Sequence, residues 1–184
     1  ARLVVAIAFL HGQKRMHLDI KPENVMLVDD VPKLIDFGLS LHFKSGGHAT
    51  HEVYTGCSDG YAPVEQYAGI ARFSPPADIY ALGAVLFFML TGEKPVHAAD
   101  MTSDFVDRHL PSTLSSETRG LVIRCMKKNA DQRFASTDDL LRSLVPLTAA
   151  ADSNATRPIG ETVSRRPARP SRLRRYAGAL LLSV

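Results

Sequence analysis

Cysteine is scarce in this 184-residue chain and tryptophan is absent. Cys57 and Cys125 are too few for a disulfide framework and show no metal-ligand spacing, so a disulfide-stapled or zinc-organised domain is excluded, and a reducing compartment fits. No segment repeats, which excludes an array of repeats. Aromatic residues make up only 7% of the chain and do not interleave with the basic ones, so nothing marks a nucleic-acid reader. The net charge of +3 comes largely from the C-terminal stretch and says little about the partners of the rest. What is present is a hydrophobic content of 45%, enough for one domain with a sizeable core.

The most informative stretch is Met16-His17-Leu18-Asp19-Ile20-Lys21-Pro22-Glu23-Asn24-Val25, followed by Ile35-Asp36-Phe37-Gly38. Phosphoryl transfer asks a protein mainly for positioning: a group to orient the attacking hydroxyl, and ligands that hold magnesium against the phosphates. This pair of motifs resembles the catalytic centre of a protein kinase, of the eukaryotic-like Ser/Thr type found in bacteria. The resemblance implies that Asp19 accepts or orients the proton of the substrate hydroxyl and that Lys21 reaches the transferring phosphate. It further implies that Asn24 and Asp36 give oxygen ligands to Mg²⁺, with ATP as the phosphate donor. His17 is assigned to packing beside Phe37.

Later landmarks follow in the order the resemblance requires. Gly60-Tyr61-Ala62-Pro63-Val64-Glu65-Gln66-Tyr67 is similar to the segment that closes an activation loop, with Val64 where the family usually has Pro. Ser58 then falls where a Thr hydroxyl joins the catalytic Asp and Lys, and Cys57 falls where Gly is usual. Asp78, at the start of an apolar helix, is expected to hold the catalytic-loop backbone, a simple helix N-cap being the plainer alternative. Arg133 is expected to pair with Glu65, because a buried carboxylate and guanidinium survive burial together. Leu18 stands where many kinases carry an Arg that gathers the charge of a phosphorylated loop. Its presence predicts weak dependence on phosphorylation of the candidate sites Thr50 and Thr55. His42, His48 and His51 read as solvated loop residues, since the spacing alone is a weak zinc signal.

Coarse patterning places these motifs. Residues 1–12 read as an apolar helix ending at Gly12, and Val25–Val28 with Pro32–Ile35 as a hairpin around Asp29-Asp30. Residues 39–60 read as loop. Ala77–Leu90 is apolar nearly all round, as a helix buried on every side would be, and Gly92 and Pro95 stop it. Residues 114–128 and 136–145 read as amphipathic helices, the second capped by Ser136 with Asp139. The fold class expected is therefore the large, C-terminal lobe of a protein-kinase-like fold alone: mainly α-helical, with one small β-hairpin at the catalytic site. No residue can be assigned to the Gly-rich loop or the strand Lys of the small lobe that the resemblance requires.

Residues 1–147 are expected to form this kinase lobe. Residues 148–175 are rich in Ala, Ser, Pro and Arg and read as a disordered basic linker. Residues 176–184 are apolar and, behind the Arg cluster at 165–175, resemble the start of a single transmembrane helix, which would leave the kinase domain cytoplasmic and the parent protein membrane-anchored. The function expected is a Ser/Thr protein kinase acting on protein substrates, with little activity from the lobe by itself. The alternative is a non-catalytic kinase-like scaffold or truncated pseudokinase, which would have no physical need for carboxylates converging on a polar cleft.

Overall fold

The computed structural model describes residues 1–43, 56–67 and 73–155, with side chains described as far as residue 146. Helix α1, Arg2–Gly12, buries Leu3, Val4, Ile7 and His11, a stripe at helical spacing. It leads through strand β1, Arg15–Met16, into the catalytic-motif segment and a 3-10 turn at Pro22–Asn24. Strands β2, Val25–Val28, and β3, Val31–Leu34, form an antiparallel hairpin with Val25 opposite Leu34 and Val28 opposite Val31. Asp29 and Asp30, with φ of 50° and 59°, make its two-residue turn, the left-handed pair that such a tight connection requires. Strand β4, Leu41–His42, pairs antiparallel with β1, Met16 facing Leu41.

The expectation of a C-terminal lobe alone, helical but for one hairpin, is corrected here. A β-sheet part and a helical part are both present, and the described strands form two antiparallel sheets rather than one. The second sheet was not visible in the pattern because two-residue strands carry no period. It exists through contacts between residues 26 or so positions apart, and half of it lies inside the stretch read as loop.

Helix α2, Val64–Tyr67, is followed by α3, Pro76–Thr91. Pro75 and Pro76 open α3 and Gly92 closes it at φ 77°, its N–H reaching Phe88 O at 2.8 Å. Ala77 to Val85 are buried without interruption, so α3 is the axis of the main core. Large side chains such as Ile79 and Phe87 contribute about 1.5–3 kcal/mol each on burial there. Helix α4, Ser103–His109, starts at Thr102, whose hydroxyl accepts from Phe105 N–H. Helix α5, Ser116–Cys125, is capped likewise by Ser115 and packs on α3. Helix α6, Thr137–Ala155, packs on α1, and Ser136 caps it by accepting from Asp139 N–H while donating to the Asp139 carboxylate.

A smaller apolar cluster stands apart from the main core. Met16, Leu18, Phe43, Phe73 and Ala77 form it, with Leu41 packed against them. No described helix is long and apolar enough to cross a membrane. The basic stretch and the apolar run of residues 176–184 lie outside the described residues.

Candidate active site

Asp19 follows β1 after a short segment whose backbone is fixed from the core. Asp78, fully buried in the first turn of α3, accepts from His17 N–H at 2.9 Å and Leu18 N–H at 2.8 Å. It also accepts from His11 Nε2 at 2.8 Å. Asp78 thus acts on the loop 60 positions before it and is not a cap of its own helix. The Asn24 side chain closes the segment from the other side, its Nδ2 donating to Asp19 O at 2.8 Å and to Asp19 Oδ2 at 2.9 Å.

The side chains of Asp19, Lys21, Asn24 and Ser58 converge. Lys21 Nζ donates to Asp19 Oδ2 at 2.8 Å and to Ser58 Oγ at 2.9 Å, and Ser58 Oγ donates to Asp19 Oδ1 at 2.6 Å. Burial alone would push the Asp19 carboxyl up. The hydrogen bonds from Lys21 and Ser58, the Lys21 charge and the Asn24 amide outweigh it and hold the pKa below the usual carboxylate range. Asp19 is 8% exposed, so it remains an ionised, nearly buried carboxylate with donors on both oxygens.

Asp36 stands at the exposed end of the hairpin. Ile35 N–H, one residue before it, donates to Asn24 O at 2.9 Å. Asp36 takes φ 60°, and its Oδ1 accepts Gly38 N–H at 3.1 Å. It makes no hydrogen bond to Asp19, Lys21 or Asn24 among the described residues. His17 packs on Phe37, ring centroids 5.0 Å apart, and burial lowers its pKa against the raising effect of Asp78, Asp19 and Asp36. It is therefore a neutral packing residue near neutral pH.

Glu65 and Arg133 meet 68 positions apart in a bidentate pair. Arg133 Nη1 donates to Glu65 Oε1 at 2.6 Å and Nη2 to Oε2 at 3.0 Å. The remaining guanidinium hydrogens go to the carbonyls of Pro76, Lys127 and Lys128, and the plane lies over Tyr80. Arg133 therefore fastens α2, where the activation segment ends, to α3 and to the loop after α5. Thr50 and Thr55 lie outside the described residues, as do His48 and His51, while His42 is exposed in β4. Cys57 is exposed beside Ser58, and partial desolvation of its thiol, with the nearby Asp59 charge, raises its pKa.

Three positioning groups were missed at the level of sequence. His11 sits on the buried stripe of α1, and a His there demands a partner, which was the available signal. Thr137 Oγ1 faces His11 Nδ1 at 3.4 Å. Gln66 Nε2 donates to Leu18 O at 2.9 Å; nothing in the sequence distinguished this Gln from a surface one.

Comparison with known proteins agrees with this arrangement. The protein kinase domain model matches residues 1–144, and the chain belongs to the protein kinase family. It is 32% identical to the serine/threonine-protein kinase AfsK of Streptomyces griseus over 84% of this chain and 20% of that protein. The AfsK of Streptomyces coelicolor is 31% identical over 93% of this chain and 23% of its own length. The Aurora kinase of Debaryomyces hansenii is 32% identical over 72% of this chain and 33% of its own length. The chain thus spans a fifth to a third of the curated relatives named here.

Proposed function

We propose that the protein carrying this chain transfers the terminal phosphate of ATP to serine or threonine hydroxyls of protein substrates. The observation that carries this reading is the Asp19 carboxylate, kept ionised by Lys21, Ser58 and Asn24. Its Oδ2 is taken by two donors and its Oδ1 by one, so Oδ1 retains a lone pair for a substrate hydroxyl. A hydroxyl bonded there is turned toward in-line attack, and its proton has an acceptor as the new P–O bond forms and the bond to the leaving diphosphate breaks. Lys21 gives two ammonium hydrogens to Asp19 and Ser58, and the third is available to a phosphate oxygen.

Asn24 and Asp36 fit a magnesium ion by the chemistry of their donors. The Asn24 amide nitrogen is engaged by Asp19, which leaves its oxygen as the atom a cation would meet, and the Asp36 carboxylate is exposed. Two protein oxygens with waters and phosphates completing the shell is what Mg²⁺ prefers. When bound, the ion neutralises phosphate charge. The serine/threonine preference rests on the naming of the relatives and on Lys21, two positions after Asp19.

In the longest product of the reading frame, Asp19→Asn is expected to abolish transfer to a Ser/Thr peptide while nucleotide binding persists. Full activity in that variant would remove Asp19 from the reaction, and with it the reading.

A further inference from the structure

Among the described residues, Gln66 is a buried polar residue beside the site to which neither motif nor mechanism has given work. It lies in α2 directly after Glu65 and is 5% exposed. Its Nε2 donates to the Leu18 carbonyl at 2.9 Å, across 48 positions. The Leu18 carbonyl and the Asp19 N–H belong to one rigid peptide plane. A donor fixed on that oxygen therefore sets the plane from which the Asp19 side chain departs.

Leu18 needs such a hold. Its φ of 64° lies in the left-handed region, which a leucine adopts only when its surroundings over-determine it. Asp78 Oδ1 takes the Leu18 N–H at 2.8 Å, which fixes the peptide on the His17 side. The Leu18 side chain is 3% exposed among Met16, Phe43, Phe73 and Ala77, which fixes Cβ. On the Asp19 side, His17 Nδ1 accepts the Asp19 N–H at 3.3 Å, and Gln66 secures the carbonyl of the same peptide.

We infer that Gln66 is a positioning residue for Asp19, holding the Leu18–Asp19 peptide in the orientation that aims the carboxylate at Ser58 and Lys21. The inference rests on the reading of Asp19 as the group that orients the substrate hydroxyl. Helix α2 then has a second role, because the element anchored by Arg133 carries, one residue further on, the donor that sets the catalytic peptide.

The test is Gln66→Met, which keeps length and volume but has no donor, in the longest product of the reading frame. Readouts are kcat, KM, the thermal midpoint and amide exchange at Asp19. The expected result is a selective loss in kcat on the order of tenfold or more, with KM for ATP within about twofold. The midpoint should stay nearly unchanged, and Asp19 amide exchange should quicken. Gln66→Leu, which likewise has no donor, is expected to behave alike and replaces the Met variant if that one does not fold. An unchanged kcat would overturn the inference. So would a joint fall of kcat, KM and midpoint, or failure of both variants to fold, since each marks a merely structural residue. If the unaltered protein transfers no phosphate, the enzymatic reading fails by itself. Exchange at Asp19 then decides alone: faster in the Met variant supports the positioning role, and unchanged overturns it.

Discussion

Asp19 carries three donors on its carboxylate, and this has consequences for pH. A carboxyl whose folded pKa is depressed contributes stability that is fully present above its unfolded value of about 3.9 and is lost as pH falls through the lower folded value. On the proposed reading, the ionised form is also the one that would accept the substrate proton. Activity between about pH 5 and 8 should therefore show no acid limb from Asp19, and a limb near about pH 6 that moves upward in Ser58→Ala, which removes the donor on Oδ1, would contradict the assignment. Ser58 supplies the shortest of those bonds, 2.6 Å, and links Lys21 to Asp19. Ser58→Ala should lower kcat on the order of tenfold with little change in KM, whereas Ser58→Thr, which keeps the hydroxyl, should retain most activity. Steady-state kinetics on both variants would separate a lost hydroxyl from a general disturbance. His17 adds a loss in the same direction at higher pH. Its lowered pKa means that the unfolded chain takes up a proton first, so stability should decline as pH falls below about 6.5 and continue to decline until the folded value is reached.

The helices are held at distances that leave little slack. At Gly83 in α3 an added Cβ would lie 2.5 Å from Cys125 Cβ and 3.0 Å from Met126 Cγ of the α5 region. Gly83→Ala gains about 1 kcal/mol in helix propensity but overpacks a buried contact at a cost of about 1–3 kcal/mol. A lower denaturant midpoint is expected, and an unchanged one would mean that α3 and α5 part freely. Arg133→Ala should cost about 3–5 kcal/mol because it strands the Glu65 carboxylate, and Arg133→Lys should not restore the loss, since a single ammonium cannot serve Glu65 and three carbonyls together. Calorimetry of the three proteins would check the order. Elements with a period of their own were legible in sequence: α1, the β2–β3 hairpin, α3, and the cap of α6 at Ser136. Helix α4 was not, although Thr102 and the spacing of Phe105, Val106, His109 and Leu110 carry the signal, because it is only two turns long. The β1–β4 sheet was illegible for a different reason, as its pairing is decided by residues far apart in sequence. Of the site, the four converging side chains could be named from their motif. The groups that aim them, His11, Gln66 and Thr137, could not, since their partners are fixed only by the packing of helices.

At the scale of the whole molecule the two flanks of the activation segment meet at one place. Phe43 before it and Phe73 after it share one apolar cluster with Leu18, the residue in the position where a charge-gathering Arg would stand. An apolar contact of this kind does not require a phosphate. Thr50→Ala with Thr55→Ala, in the longest product of the reading frame, should leave activity largely intact, and a loss on the order of a hundredfold would show that loop phosphorylation is required after all. The contacts that order the site are long in sequence: 67 positions from His11 to Asp78, 68 from Glu65 to Arg133 and 126 from His11 to Thr137. During synthesis the ribosome therefore releases the Asp19 segment well before it releases the carboxylate, guanidinium and hydroxyl that arrange it. Closing loops of this length costs chain entropy before any contact returns it. The nascent chain thus holds the Asp19 segment early, yet the full set of contacts around it is complete only once Thr137, in the first turn of α6, has emerged.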